Sequence, residues 1–163
     1  MKIHPLYRHW FNLNKDLLIT DNWEQLSEKA ISDFGWLGLI KVGHILREAE
    51  IFNASIFISN LINKNPEQIF YTLEKIIRRA NNIEITTTLD ASGHWVFYIE
   101  SASNPTWEGL RCDFYLSEIG NRYSIVFDSD PNVCEITACG WNDFIAQAHN
   151  KKLFGIDWLQ YEV

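Results

Sequence analysis

From Trp23 onward, apolar positions recur at three- and four-residue intervals: Trp23, Leu26, Ala30, Ile31 and Phe34. That spacing gathers them on one side of an α-helix. Asp21 and Glu24 stand three residues apart at the start of the run, a capping-box variant that predicts where the helix begins. Gly35 marks a break, and WLGLIKVGHILREAE behind it is apolar on most sides, which predicts a buried central helix. A third helical segment covers residues 53–63. The fourth opens at NPEQ, where Asn65 caps and Pro66 suits the first helical position. Ile69, Phe70, Leu73, Ile76 and Ile77 make its apolar stripe, and Arg78 and Arg79 sit where the helix dipole favours cations.

After Asn81 and Asn82 the period falls to two. Ile83, Ile85 and Leu89 alternate with Glu84, Thr86 and Thr88, and Trp95, Phe97 and Ile99 alternate with His94, Val96, Tyr98 and Glu100. This predicts a hairpin turning near Asp90–Gly93. Leu110, Cys112, Phe114 and Leu116 alternate with Arg111, Asp113, Tyr115 and Ser117; Gly120 and Asn121 then turn the chain into RYSIVFDSD, with VCEITAC as a further strand. WNDFIAQAHNKK reads as a short helix and IDWLQYEV as a terminal strand or extended tail. The expected fold is a single α+β domain over residues 1–163, with N-terminal helices packed on one face of a C-terminal, mainly antiparallel sheet. The other face is then wet, and carries Glu84, Tyr98, Glu100, Asp113, Tyr115 and Glu135.

Composition sharpens that picture. With 47% hydrophobic residues and seven tryptophans in 163, the chain has ample material for a core, and disorder is excluded. Pro5, Arg8, His9, Asn12, Asn14 and Lys15 interrupt the N-terminus, so no signal peptide is expected there, and no run reaches the ~20 apolar residues that span a bilayer. Three cysteines in apolar settings, Cys112, Cys134 and Cys139, suit reduced thiols and a cytoplasmic location. Charge is lopsided: residues 1–80 hold ten Lys/Arg against nine Asp/Glu, whereas residues 81–163 hold four against twelve, a net of −8. Phosphates need neutralising cations, so the second half predicts neither a nucleic-acid nor a membrane partner. It predicts a basic protein.

The chemistry motifs fall short. FDSDPNVCEI puts Asp128, Asp130 and Asn132 at alternate positions, as a calcium loop would, but its sixth and twelfth positions hold Val133 and Cys139 instead of glycine and glutamate. It reads as a charged turn. The cysteines lack the partners of a zinc finger, and no nucleophile or phosphate-loop signature frames a histidine or glycine. No catalytic residue, metal or cofactor is expected. Trp107, in the loop SASNPTWEG beside Glu108, is the candidate interface anchor if its ring faces solvent, the alternative being that it packs under the sheet.

A helical start, an acidic β-rich end and no catalytic motif make the chain resemble the immunity proteins of bacterial contact-dependent growth inhibition and related polymorphic toxin systems. The resemblance lies in overall character, so it transfers no residue by motif. It implies a cognate partner, the basic C-terminal domain of a toxin, often a nuclease. On that reading Glu84, Glu100, Asp113, Asp128, Asp130 and Glu135 pair with toxin Lys/Arg, while Tyr98, Tyr115 and Trp107 anchor the contact. Two rivals stand beside it. One is an adaptor for a basic non-toxin partner; the other is a small enzyme or small-molecule binder with a pocket between helices and sheet, lined by His94, Asp113 or Cys112.

Overall fold

Helices occupy the first half of the chain and an antiparallel sheet most of the second. The computed structural model describes residues 3–80, 82–120 and 122–163. In order it runs α1 (Pro5–Leu13), α2 (Lys15–Ile19), α3 (Trp23–Glu48), α4 (Phe52–Lys64), α5 (Pro66–Arg79), β1 (Ile83–Leu89), β2 (Trp95–Ala102), β3 (Arg111–Ile119), β4 (Arg122–Asp130), β5 (Glu135–Cys139) and α6 (Trp141–Asn150). The layout is therefore α+β. The chain divides into two compact units, residues 1–61 with Val163, and residues 62–162, the division falling inside α4. No described helix is long and apolar enough to cross a membrane.

In the first unit, α1 and α2 lie in a stretch for which the sequence reading assigned no helix. Pro5 takes the first helical turn of α1, and the His4 ring accepts a hydrogen bond from the Leu6 amide at 3.1 Å, satisfying a donor that the helix leaves over. Trp10 is buried; its indole N–H donates to Asp33 Oδ2 at 2.8 Å, and its ring lies 5.6 Å from that of Phe34. The start of α3 sits one residue later than expected. Asn22 is the cap, accepting from the Gln25 amide at 3.2 Å, while Asp21 stays outside with φ 52°. Gly35 breaks α3 with φ 74°, ψ −173°, a conformation that side-chain-bearing residues avoid. At Gly43 an added Cβ would come within 3.0 Å of Ile58, so glycine here permits α3 and α4 to approach closely.

In the second unit the five strands form a meander, β1-β2-β3-β4-β5, all neighbours antiparallel. Trp95, Phe114, Phe127 and Ile136 are paired across four strands and so share one face; Phe97 pairs with Cys112 on the same side. α5 covers this face with Ile69, Phe70, Leu73, Ile76 and Ile77, all buried, and Phe70 stacks on Trp95 at 6.2 Å. α6 adds Phe144, 6.0 Å from Phe114 and 5.8 Å from Trp158. The last stretch is not a strand. Leu153–Gly155 and Trp158–Tyr161 are short 3-10 turns, because buried Leu153, Phe154 and Trp158 seat the tail in the core, and Trp158 Nε1 donates to the Leu153 carbonyl at 2.8 Å. The predicted turn residues Asn81 and Asn121 lie outside the described residues.

Candidate acidic docking face

Strand pairing sorts the predicted wet-face residues into rows on the side of the sheet opposite Phe114 and Phe127. Val96, Asp113, Asp128 and Glu135 are directly paired across β2 to β5, so three carboxylates stand in line on adjacent strands. One row along come Tyr98, Arg111 and Asp130, likewise paired. On the other side run Tyr115, Val126 and Thr137. Val96 and Val126 are buried between these larger neighbours, at 1% and 7% exposure, and form an aliphatic floor. Tyr98 stands out at 41%. Asp128 and Asp130, read from the sequence as a turn, belong to β4 itself.

The connector after Asp130 is organised from inside. Ser129 Oγ accepts from the Val133 and Cys134 amides at 2.9 Å each and donates to the Cys134 carbonyl at 3.2 Å. FDSDPNVCEI is thus a strand end, a short connector tied to Ser129, and the beginning of β5.

Like charges directly opposite each other on a sheet repel. Asp128 shows it: burial, then Glu135, then Asp113 push its carboxyl above the ordinary carboxylate range, while His94 pulls the other way. Asp113 is relieved locally. Arg111 Nε donates to its Oδ1 at 3.1 Å, His94 Nδ1 lies 3.6 Å from its Oδ2, and Arg111 Nη2 reaches Asp90 Oδ2 at 3.4 Å. The Asp90 carboxyl is held below its ordinary value, first by the Ser92 hydroxyl and also by the backbone amides of His94 and Ser92. His94 stacks flat on Tyr115, ring centroids 4.3 Å apart.

Asp90, His94 and Asp113 each offer a ligand atom within 4.8 Å of one another. Arg111 pairs with both carboxylates, through Nη2 to Asp90 Oδ2 and through Nε to Asp113 Oδ1. The cluster therefore behaves as an ion network with a cation of its own. Sequence reading missed this network, although the Asp-x-Ser turn and the alternation of Arg111 with Asp113 carried its signal.

Not every predicted residue joins the face. Trp107 is 7% exposed and packs edge-on against Phe154 at 5.4 Å, so it is a core residue and no anchor; the loop folds back because Phe154 offers an apolar seat. Trp141 is buried too, its indole N–H on the Tyr161 carbonyl at 2.8 Å. Glu84 lies past a register shift in β1 and pairs with Ser101, five positions along β2 from Val96, roughly 17 Å at the usual strand rise. Glu100 accepts from Thr86 Oγ1 at 2.8 Å. These two acids flank the row from the β1 end.

Cys112 is fully buried on the core face, and burial pushes its thiol up to about 12. The ionised, reactive form is therefore scarce at neutral pH. Cys139 is partly exposed on the open face, 3.9 Å from Ser124 Oγ. Iodoacetamide at mild alkaline pH is expected to alkylate Cys139 in the native chain and Cys112 only after denaturation, as peptide mass mapping will show. Native labelling of Cys112 at the rate of Cys139 would contradict this placement.

No family model, curated protein or solved structure matches this chain.

Proposed function

We propose that this chain is an immunity-type inhibitor that binds a basic toxin domain, a nuclease in the simplest case, through the open face of its sheet. The row Asp113–Asp128–Glu135 is the observation that carries the reading. Burial first, and then Glu135 and Asp113, resist ionisation of Asp128, so a lysine or arginine brought to it relieves the repulsive part as well as gaining an ion pair. Arg111 restrains Asp113, leaving Asp128, Glu135 and Asp130 as the acids that meet the partner, with Tyr98 and Tyr115 supplying contact area beside them. A nuclease cleft must be cationic to hold phosphate, and an acidic face can take the same ground and exclude substrate. Long-range attraction of this kind raises association toward 10⁸–10⁹ M⁻¹s⁻¹ at low salt, which suits an inhibitor of a lethal enzyme.

The test is survival. Cells expressing a basic toxin domain of the proposed kind should grow when wild-type chain is present and die when it carries Asp128→Lys with Glu135→Lys, at equal levels of folded protein. Equal protection by both would remove the face from the mechanism. No protection by either would favour an adaptor for a different basic protein, which the same face could serve.

A further inference from the structure

β1 and β5 end the strand order, so among the described residues each has one side with no strand beside it. Such edges are templates for strand addition by a second chain. In an antiparallel ladder, alternate residues turn their backbone groups to the neighbour and the rest turn outward. The Ser129 amide donates to the Cys134 carbonyl at 3.2 Å, so the residues in phase with Cys134, Ile136 and Ala138, bond to β4. Glu135, Thr137 and Cys139 face out.

Side chains of α6 and its C-cap occupy three of those outward groups. The Glu135 carbonyl accepts from Lys151 Nζ, the Thr137 carbonyl accepts from Gln147 Nε2 at 3.0 Å, and the Cys139 amide donates to Asp143 Oδ2 at 2.8 Å. Asp143, Gln147 and Lys151 are spaced by four and form one line along the helix, and Gln147 also donates to Asp143 Oδ2 at 3.3 Å. The opposite edge shows the same device. The Asp90 amide donates to the His94 carbonyl at 3.0 Å, which turns Ile85 and Thr87 outward on β1. Arg78 Nη1 donates to the Ile85 carbonyl at 3.1 Å, while its Nε is held by Glu74 at 3.0 Å, and Glu74 in turn accepts from Thr87 Oγ1 at 3.1 Å.

We infer that α5 and α6 are edge guards: side chains four residues apart stand in for missing outer strands, so the sheet takes up neither a second copy of itself nor an extended peptide. A partner that docks on this sheet would then meet its side-chain face and not its edges. The inference stands whether or not that partner is a toxin.

Gln147→Leu combined with Lys151→Met keeps volume and helix preference while removing both donors. Light scattering behind size exclusion is expected to show the wild type at monomer mass over a wide concentration range and the double variant growing to dimers and beyond, with unchanged far-UV circular dichroism. Separately, Asp143→Ala is expected to speed hydrogen exchange of the Cys139 amide by about tenfold or more. If the double variant unfolds, Lys151→Met alone, exposed at the end of α6, carries the test through a smaller mass increase. Folded variants that stay monomeric at every concentration, with Cys139 exchange unchanged, overturn the assignment, as does a wild type that itself associates through β5.

Discussion

Truncation of Phe114 to alanine is expected to lower the unfolding free energy of the sheet-containing unit by about 3–5 kcal/mol, the usual loss when a buried phenylalanine leaves a cavity. Phe114 is fully buried, and its ring centre lies 4.9 Å from Phe97, 4.8 Å from Phe127 and 6.0 Å from Phe144. It joins three strands to α6. Because all four rings are rigid and come from separate elements, the site cannot collapse to fill the space. Urea unfolding followed by circular dichroism will read the change; a loss under about 1 kcal/mol would mean that the cluster is far more pliant than rings this closely set allow. Ile119→Ala, at an exposed position near the end of β3, should by contrast fall within about 0.5 kcal/mol of wild type.

The alternation that announced this core also announced the opposite face. Phe97, Phe114 and Phe127 fall on one side of their strands by period alone, and Tyr98, Asp113 and Asp128 on the other. What period cannot give is register. That Asp113, Asp128 and Glu135 stand directly opposite one another depends on the lengths of two connections, one of them containing Asn121 and the other drawn in by Ser129. Arg111 and Asp90 are likewise brought together by pairing across β2, at a sequence distance that hides them from any local pattern. Trp107 illustrates the reverse limit: a loop full of Pro, Gly and Ser looks exposed until the tail supplies Phe154 for it to pack on. In α1, the signal was present. Pro5 as a first-turn residue, with Tyr7, Trp10, Phe11 and Asn14 at helical spacing, marks a helix once the stretch is read for periodicity.

Charge reversal on the open face is the second large effect. Asp128→Lys with Glu135→Lys replaces two acids of the row and places cations opposite an incoming basic surface. Association with a basic partner is expected to slow by roughly 10²-fold at low salt, with less effect at high salt where the attraction is screened. Tyr115→Ala should act differently, speeding dissociation by removing both contact area and the stack that holds His94.

The milder Asp128→Asn separates stability from binding. With its carboxyl raised in the folded state, Asp128 binds its proton more tightly folded than unfolded. The resulting penalty is absent at pH values below the ordinary carboxylate range, grows as pH rises through it, and is complete above the raised value. At neutral pH the asparagine variant is therefore expected to be slightly more stable than wild type, by about a few tenths of a kcal/mol because solvent screens so open a carboxylate, and the gain should vanish in acid. Its affinity for a basic partner should nonetheless fall. A residue that weakens the fold and strengthens the complex is what a docking acid looks like. Asp113→Asn should show no comparable gain, since Arg111 and His94 already face that carboxylate.

Isothermal calorimetry of the proposed basic partner domain against wild-type chain and the Asp128→Lys, Glu135→Lys variant tests the central claim most directly. The account predicts a one-to-one complex for the wild type, with affinity falling steeply as salt rises, and at least a hundredfold weaker binding for the folded variant. Equal affinity for the two proteins, or binding indifferent to salt, would contradict it.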